Sequence, residues 1–173
     1  VSGDPSGASP IFPGMNNLQA ALFFGTSTGY LSPHYKDELH YVAGTFDETG
    51  MPIGLQYSLV QDWLNFLAAM PPYEPSQIHL DGAKVICDPA GVSFDDHAGE
   101  ITVPILSVGA VGGLADLSED ATTSVGSTDI SIHNISFYGP SEQALDFGHI
   151  DIMTAGDASS LVWAPVRDWV LAN

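Results

Sequence analysis

The stretch Ile101-Thr102-Val103-Pro104-Ile105-Leu106-Ser107-Val108 constrains the fold of this chain more than any other. It is apolar at both alternate sets of positions, so neither face of a strand built from it suits water. Such a strand needs cover on both sides, the habit of parallel sheets flanked by helices. It runs into glycines at Gly109, Gly112 and Gly113, and a polar stretch to Thr128 then leads to a second strand pattern over Asp129–Tyr138.

The other elements are sparser. Residues 1–16 are rich in Pro, Gly and Ser and read as an irregular leading segment. Leu22-Phe23-Phe24 is a short apolar run before the loop-like Gly25–Tyr35, and residues 41–54 carry the turn signals Asp47-Glu48-Thr49-Gly50 and Met51-Pro52. Leu55, Leu59, Val60, Trp63, Leu64 and Leu67 recur mostly at helical spacing, and Pro71-Pro72 ends that helix. Ala83–Cys87, bounded by Gly82 and Asp88-Pro89, reads as a strand, and 88–100 as an acidic loop. Leu161, Val162, Val166, Trp169 and Val170 predict a closing helix, with a new helical turn or a kink at Pro165. No internal repeat occurs. The order predicts an α/β domain with too few strands for a complete sheet: a cap-like part over 1–80 and a sheet part over 81–173.

Charge excludes several partners. Lys36, Lys84 and Arg167 are the only fixed cations against 21 carboxylates, a formal charge of -18. Binding nucleic acid or an anionic membrane surface requires a basic stripe, which three scattered cations cannot make. The longest largely apolar run, Val103–Ala115, contains a serine and three glycines and is shorter than the roughly 20 residues of a bilayer span. No basic segment precedes an apolar stretch at the start, so no signal peptide is expected in these residues. The single cysteine, Cys87, reads as a small buried hydrophobe in a strand, with an interchain bridge the alternative. Scarce lysine and strong acidity suit a secreted or periplasmic protein, with a halophilic cytoplasm the rival expectation.

The last third carries the chemistry. Ile101–Leu106 is followed by a glycine-rich acidic loop, a second strand, Phe147-Gly148-His149-Ile150-Asp151, and a closing helix from Val162-Trp163 through Trp169. On these residues the chain resembles the C-terminal part of an α/β-hydrolase, with 41–100 resembling a cap or lid insertion. The resemblance implies a partial α/β-hydrolase fold, the last strands and helices of a mostly parallel sheet, and hydrolysis of a carboxylic ester without a cofactor. His149 would be the base that takes a proton from a serine, and an acid past the penultimate strand would orient it.

Where that acid is expected, the chain has Val111, Gly112 and Gly113; Asp116 is the nearest following carboxylate, with Glu119, Asp120 and Asp129 as rivals. The bland alternative for Asp116–Asp120 is a solvated helix start. Asp151, only two residues past the base, is assigned to loop structure. Gly25-Thr26-Ser27-Thr28-Gly29 satisfies G-x-S-x-G, and Ser27, Asp116, His149 follow the family's chain order. A nucleophile elbow runs from a buried strand straight into a helix, and Tyr30-Leu31-Ser32-Pro33 is a poor helix start. The nucleophile is therefore expected from a second polypeptide or segment that completes the fold, with Ser27 as the nucleophile of a truncated hydrolase the alternative. Apolar residues of 55–70 would favour hydrophobic substrates by lining an acyl pocket. From a different class comes a non-catalytic acidic binding or assembly domain on a hydrolase scaffold.

Other features are bland. Asp95-Asp96-His97 reads as a solvated loop rather than a metal site, and His34, His40, His79 and His133 show no ligand spacing. The sequon Asn134-Ile135-Ser136 lies inside a strand pattern, which argues against its glycosylation.

Overall fold

A computed structural model describes residues 4–27, 39–70, 80 and 97–173. The strand expected at Ala83–Cys87, with Cys87 itself, lies outside the described residues.

Ile105–Ala110 forms β3 and Ile130–Ile135 forms β4, paired in parallel with Ile105 opposite Ile130 and Ala110 opposite Ile135. The helix between them is α3, Ala115–Thr122. A parallel pair needs such a crossover because both strands must run the same way. The strand read at Ile101–Val108 is shifted, since Ile101 and Val103 are exposed and pairing begins at Ile105. Asn134 lies within β4, as the sequon argument requires.

Ahead of this unit, Asn17–Thr26 forms α1, which takes in the apolar run Leu22–Phe24 together with Gly25 and Thr26 of the stretch expected to be loop-like. A capping box sets its start: Asn16 Oδ1 accepts from the Gln19 amide at 2.8 Å, and Gln19 Oε1 accepts from the Asn16 amide at 3.0 Å. Gly44–Phe46 (β1) and Pro52–Leu55 (β2) make an antiparallel hairpin. Its turn closes where Asp47 Oδ1 accepts from the Thr49 and Met51 amides and Gly50 takes a positive φ of 79°. Leu55 therefore belongs to a strand, and the helix expected from it begins later, as α2 over Val60–Ala69.

Asp151–Thr154 forms the short α4. A π-turn over Ser159–Trp163 then leads into α5, Ala164–Ala172, with Pro165 in its first turn. Proline fits there because the first helical amides have no partner to lose.

Two apolar clusters hold these parts together. One joins Ala110 and Ile135, at the ends of the parallel strands, to Phe147, Ala155, Ala158 and Val162. The other joins Val42, Trp63 and Ile150, with Phe24, Tyr41 and Phe66 packed around them. Trp63 is 1% exposed and donates Nε1–H to the Ala21 carbonyl at 2.9 Å. Trp63 is the one buried residue of α2, its indole packed with the residue after His149. Phe66 and Leu67 lie partly buried against the same cluster, and Leu59 is exposed. No helix among the described residues is long and apolar enough to cross a membrane.

Trp63→Ala should cost about 3–5 kcal/mol by cavity formation, read by urea unfolding. Trp163→Ala, at a position 50% exposed, should stay within about 0.5 kcal/mol. Equal effects would contradict the packing described.

Candidate functional site

Because β3 and β4 are parallel, both carboxyl ends face one edge, where loops of α/β proteins gather their functional groups. His149 lies at this edge. The turn leaving β3 closes with the Gly113 amide on the Ala110 carbonyl at 2.9 Å, and Gly113 lies flat against His149. A Cβ on Gly113 would stand 2.5 Å from the His149 amide nitrogen. Gly112 and Gly113, in the stretch where an orienting acid was expected, are thus a contact surface with no room for a side chain.

Residues 39–43 form a strap alongside. The His40 amide donates to the Gly112 carbonyl at 2.9 Å, and the His40 carbonyl accepts from the His149 amide at 3.1 Å. The Ile150 amide donates to the Tyr41 carbonyl at 2.6 Å. Tyr41 and Val42 amides both donate to the Gly25 carbonyl, so the end of α1 reaches the same strap. The strap and the His149 loop run so close that a Cβ on Gly148 would stand 2.6 Å from the Tyr41 carbonyl oxygen.

Two fully buried carboxylates fix the loop, and neither is bonded to lysine or arginine among the described residues. Asp146 accepts from the Phe137 and Phe147 amides at 2.9 and 2.7 Å and from Ser136 Oγ at 2.8 Å. Asp151 accepts from the Ala43 and Gly148 amides at 2.8 and 2.9 Å and from Ser58 Oγ at 2.5 Å. Burial raises the Asp151 carboxyl above its ordinary range, while these three donors and the nearby His40 ring oppose that rise. Its expected role in loop structure matches this geometry.

The His149 ring is half-buried, and burial pushes it below the ordinary imidazole range. It is therefore neutral near pH 7 and chemically able to accept a proton. Asp116 is exposed in the first turn of α3, within the helix start expected for Asp116–Asp120. Ser27 is buried and caps the end of α1, with its amide on the Phe23 carbonyl at 3.0 Å. It follows a helix instead of turning from a strand into one, and no non-glycine among the described residues has positive φ. Thr28 and Gly29 lie outside the described residues. Among the described residues no hydrogen bond links the side chains of Ser27, Asp116 and His149 to one another.

His40 escaped sequence reasoning. It is 4% exposed, its Nε2 lies 2.7 Å from the Asp146 carbonyl oxygen, and its Cε1 is 2.7 Å from where a Gly112 Cβ would stand. Only a long-range contact reveals it, and no local spacing signals that. His97 pairs with Glu100 on the surface at 2.9 Å, His133 Nε2 meets the Leu161 carbonyl at 2.7 Å, and Asp95 and Asp96 lie outside the described residues.

Gly113→Ala should destabilise the fold by about 1–3 kcal/mol through overpacking against His149, whereas Gly139→Ala, facing open space, should not; urea unfolding checks both. Titration of His149 gives a second expectation. Its folded value lies below its unfolded value near ~6.5, so folding favours the neutral ring. That contribution is complete above the unfolded value and is lost as pH falls through the folded one. Unfolding curves from about pH 7.5 to about pH 5 should therefore show wild type losing more stability than His149→Gln. Parallel losses would mean that the ring is solvated.

Comparison of the chain with protein-family models, with curated proteins and with solved structures found no match.

Proposed function

We propose that the chain is the cap and C-terminal part of a secreted, α/β-hydrolase-like enzyme that cleaves carboxylic esters through a serine nucleophile. The supporting observation is the position of His149, half-buried at the carboxyl edge of a parallel strand pair and backed by the Gly113 turn. A neutral imidazole there is suited to take the serine proton as the hydroxyl oxygen attacks the ester carbonyl. The resulting imidazolium then protonates the departing alkoxide, leaving an acyl-enzyme. Water cleaves that intermediate in the same way, its proton passing through His149 to the serine.

Asp116, three residues past Gly113, is assigned the orienting role. The nucleophile is assigned to a polypeptide outside these residues, because Ser27 caps a helix and lacks the strained turn of an elbow. Secretion rests on the acidity and the scarcity of lysine. One observation favours a non-catalytic acidic binding domain instead: among the described residues no carboxylate is hydrogen-bonded to the His149 ring.

Fluorophosphonate labelling of native material, with any copurifying polypeptide retained, separates the two. For the enzyme, a serine is labelled, and His149→Ala lowers labelling and ester hydrolysis by about 10²–10⁴-fold. Asp116→Asn lowers them as well. Full activity in the His149 variant would remove the assignment, and absence of any labelled serine would favour the binding domain.

A further inference from the structure

Asp151 joins more distant parts of the chain than any local role requires. Its Oδ2 accepts from the Ala43 amide, 108 positions away, and from the Gly148 amide, which immediately precedes His149. Its Oδ1 accepts from Ser58 Oγ, 93 positions away. Ser58 Oγ also lies 2.7 Å from Thr154 Oγ1, at the end of α4. The side chain is 0% exposed. Among the described residues the titratable groups facing it are His40, which favours its anion, and the Tyr57 phenol, whose proton its charge helps to retain.

We propose that Asp151 is the positioning residue of His149, its carboxylate gripping Ala43, Gly148 and Ser58 together so that the imidazole loop is held against the 39–43 strap. The functional weight of this grip rests on His149 being the base of ester hydrolysis, while the mechanical claim concerns the ring's position alone. Two backbone bonds flank the grip, His149 to His40 and Ile150 to Tyr41. Both join the same loop to the same strap as the bond from the Ala43 amide to Asp151 does. A charged acceptor makes stronger bonds to the amides than a neutral one, but the geometry itself needs only an acceptor and a partner for Ser58. An asparagine meets both needs: its carbonyl faces the two amides, and its NH₂ donates to Ser58 Oγ, whose proton turns to Thr154.

The test is NMR titration of the His149 ring in the 173-residue chain for wild type, Asp151→Asn, Asp151→Ala and Ser58→Ala. Wild type and Asp151→Asn should titrate below the ordinary value of ~6.5. Asp151→Ala should shift upward toward that value as the ring becomes solvated, and Ser58→Ala should shift part of the way. A purely structural role would lower the melting temperature and leave the titration of the folded form unchanged. An unshifted ring in Asp151→Ala and Ser58→Ala therefore overturns the proposal, as does an Asp151→Asn chain that behaves like Asp151→Ala. If Asp151→Ala does not fold, Ser58→Ala decides by the same criterion. In native material that hydrolyses esters, Asp151→Ala should lower kcat by about 100-fold with KM kept, and Asp151→Asn should retain it. Unlabelled wild type with the expected titrations would refute the hydrolase role and leave the grip standing.

Discussion

Bare backbone meeting bare backbone is the constraint on which the rest of this structure depends. The Gly112–Gly113 turn, the loop around Gly148 and the 39–43 strap meet at distances that leave no space for intervening side chains. Close approach lets their amides and carbonyls satisfy one another across long sequence separations. Phe147 and Ile150 then point into separate apolar clusters from one short loop. His149, between them, is carried to the edge of the parallel strands by the packing of its neighbours. Its own side chain need supply none of the binding energy.

Burying Asp146 and Asp151 in such a junction would be costly without compensation, since a desolvated carboxylate loses several kcal/mol or more of hydration. The usual remedy, a lysine or arginine, is scarce: the chain has three such residues, and Arg167 is engaged on the surface with Asp168 at 2.6 Å. Backbone amides and serine hydroxyls take that part. They are fixed in place by the fold and need no flexible side chain to be ordered. The carboxylates in return collect loose ends: Asp146 gathers the chain leaving β4, and Asp151 gathers the strap and Ser58, two residues ahead of α2.

What the sequence made legible was the regular part. β3 and β4 were visible because a run apolar on both faces has few other uses, although Ile101 and Val103 were wrongly included through hydrophobicity alone. The stripe of α2 was visible by spacing, and Leu55 was drawn into it because a strand residue can match a helical interval by chance. Conversely, α1 was missed because Leu18–Phe24 is apolar without a clear stripe; the Asn16–Gln19 capping box was the available signal. Residues 111–113 suggest the place of a missing acid, whereas the bareness of Gly112 and Gly113 answers to the backbone of Asp146 and of His149. His40 and the Ala43 and Ser58 partners of Asp151 lie 93 to 108 positions from their contacts, beyond any periodicity or motif.

The way the buried anions are answered also sets how the protein responds to ionic strength. In folds pinned by internal ion pairs, added electrolyte can loosen the pins that reach solvent. Here the inner carboxylates are held by peptide dipoles that mobile ions do not reach, while the outer surface carries most of a net charge of -18. Dissolved salt then chiefly screens repulsion among surface carboxylates, which act within about 10 Å of one another at 0.1 M. Brine should tighten this molecule, and dilution should strain it.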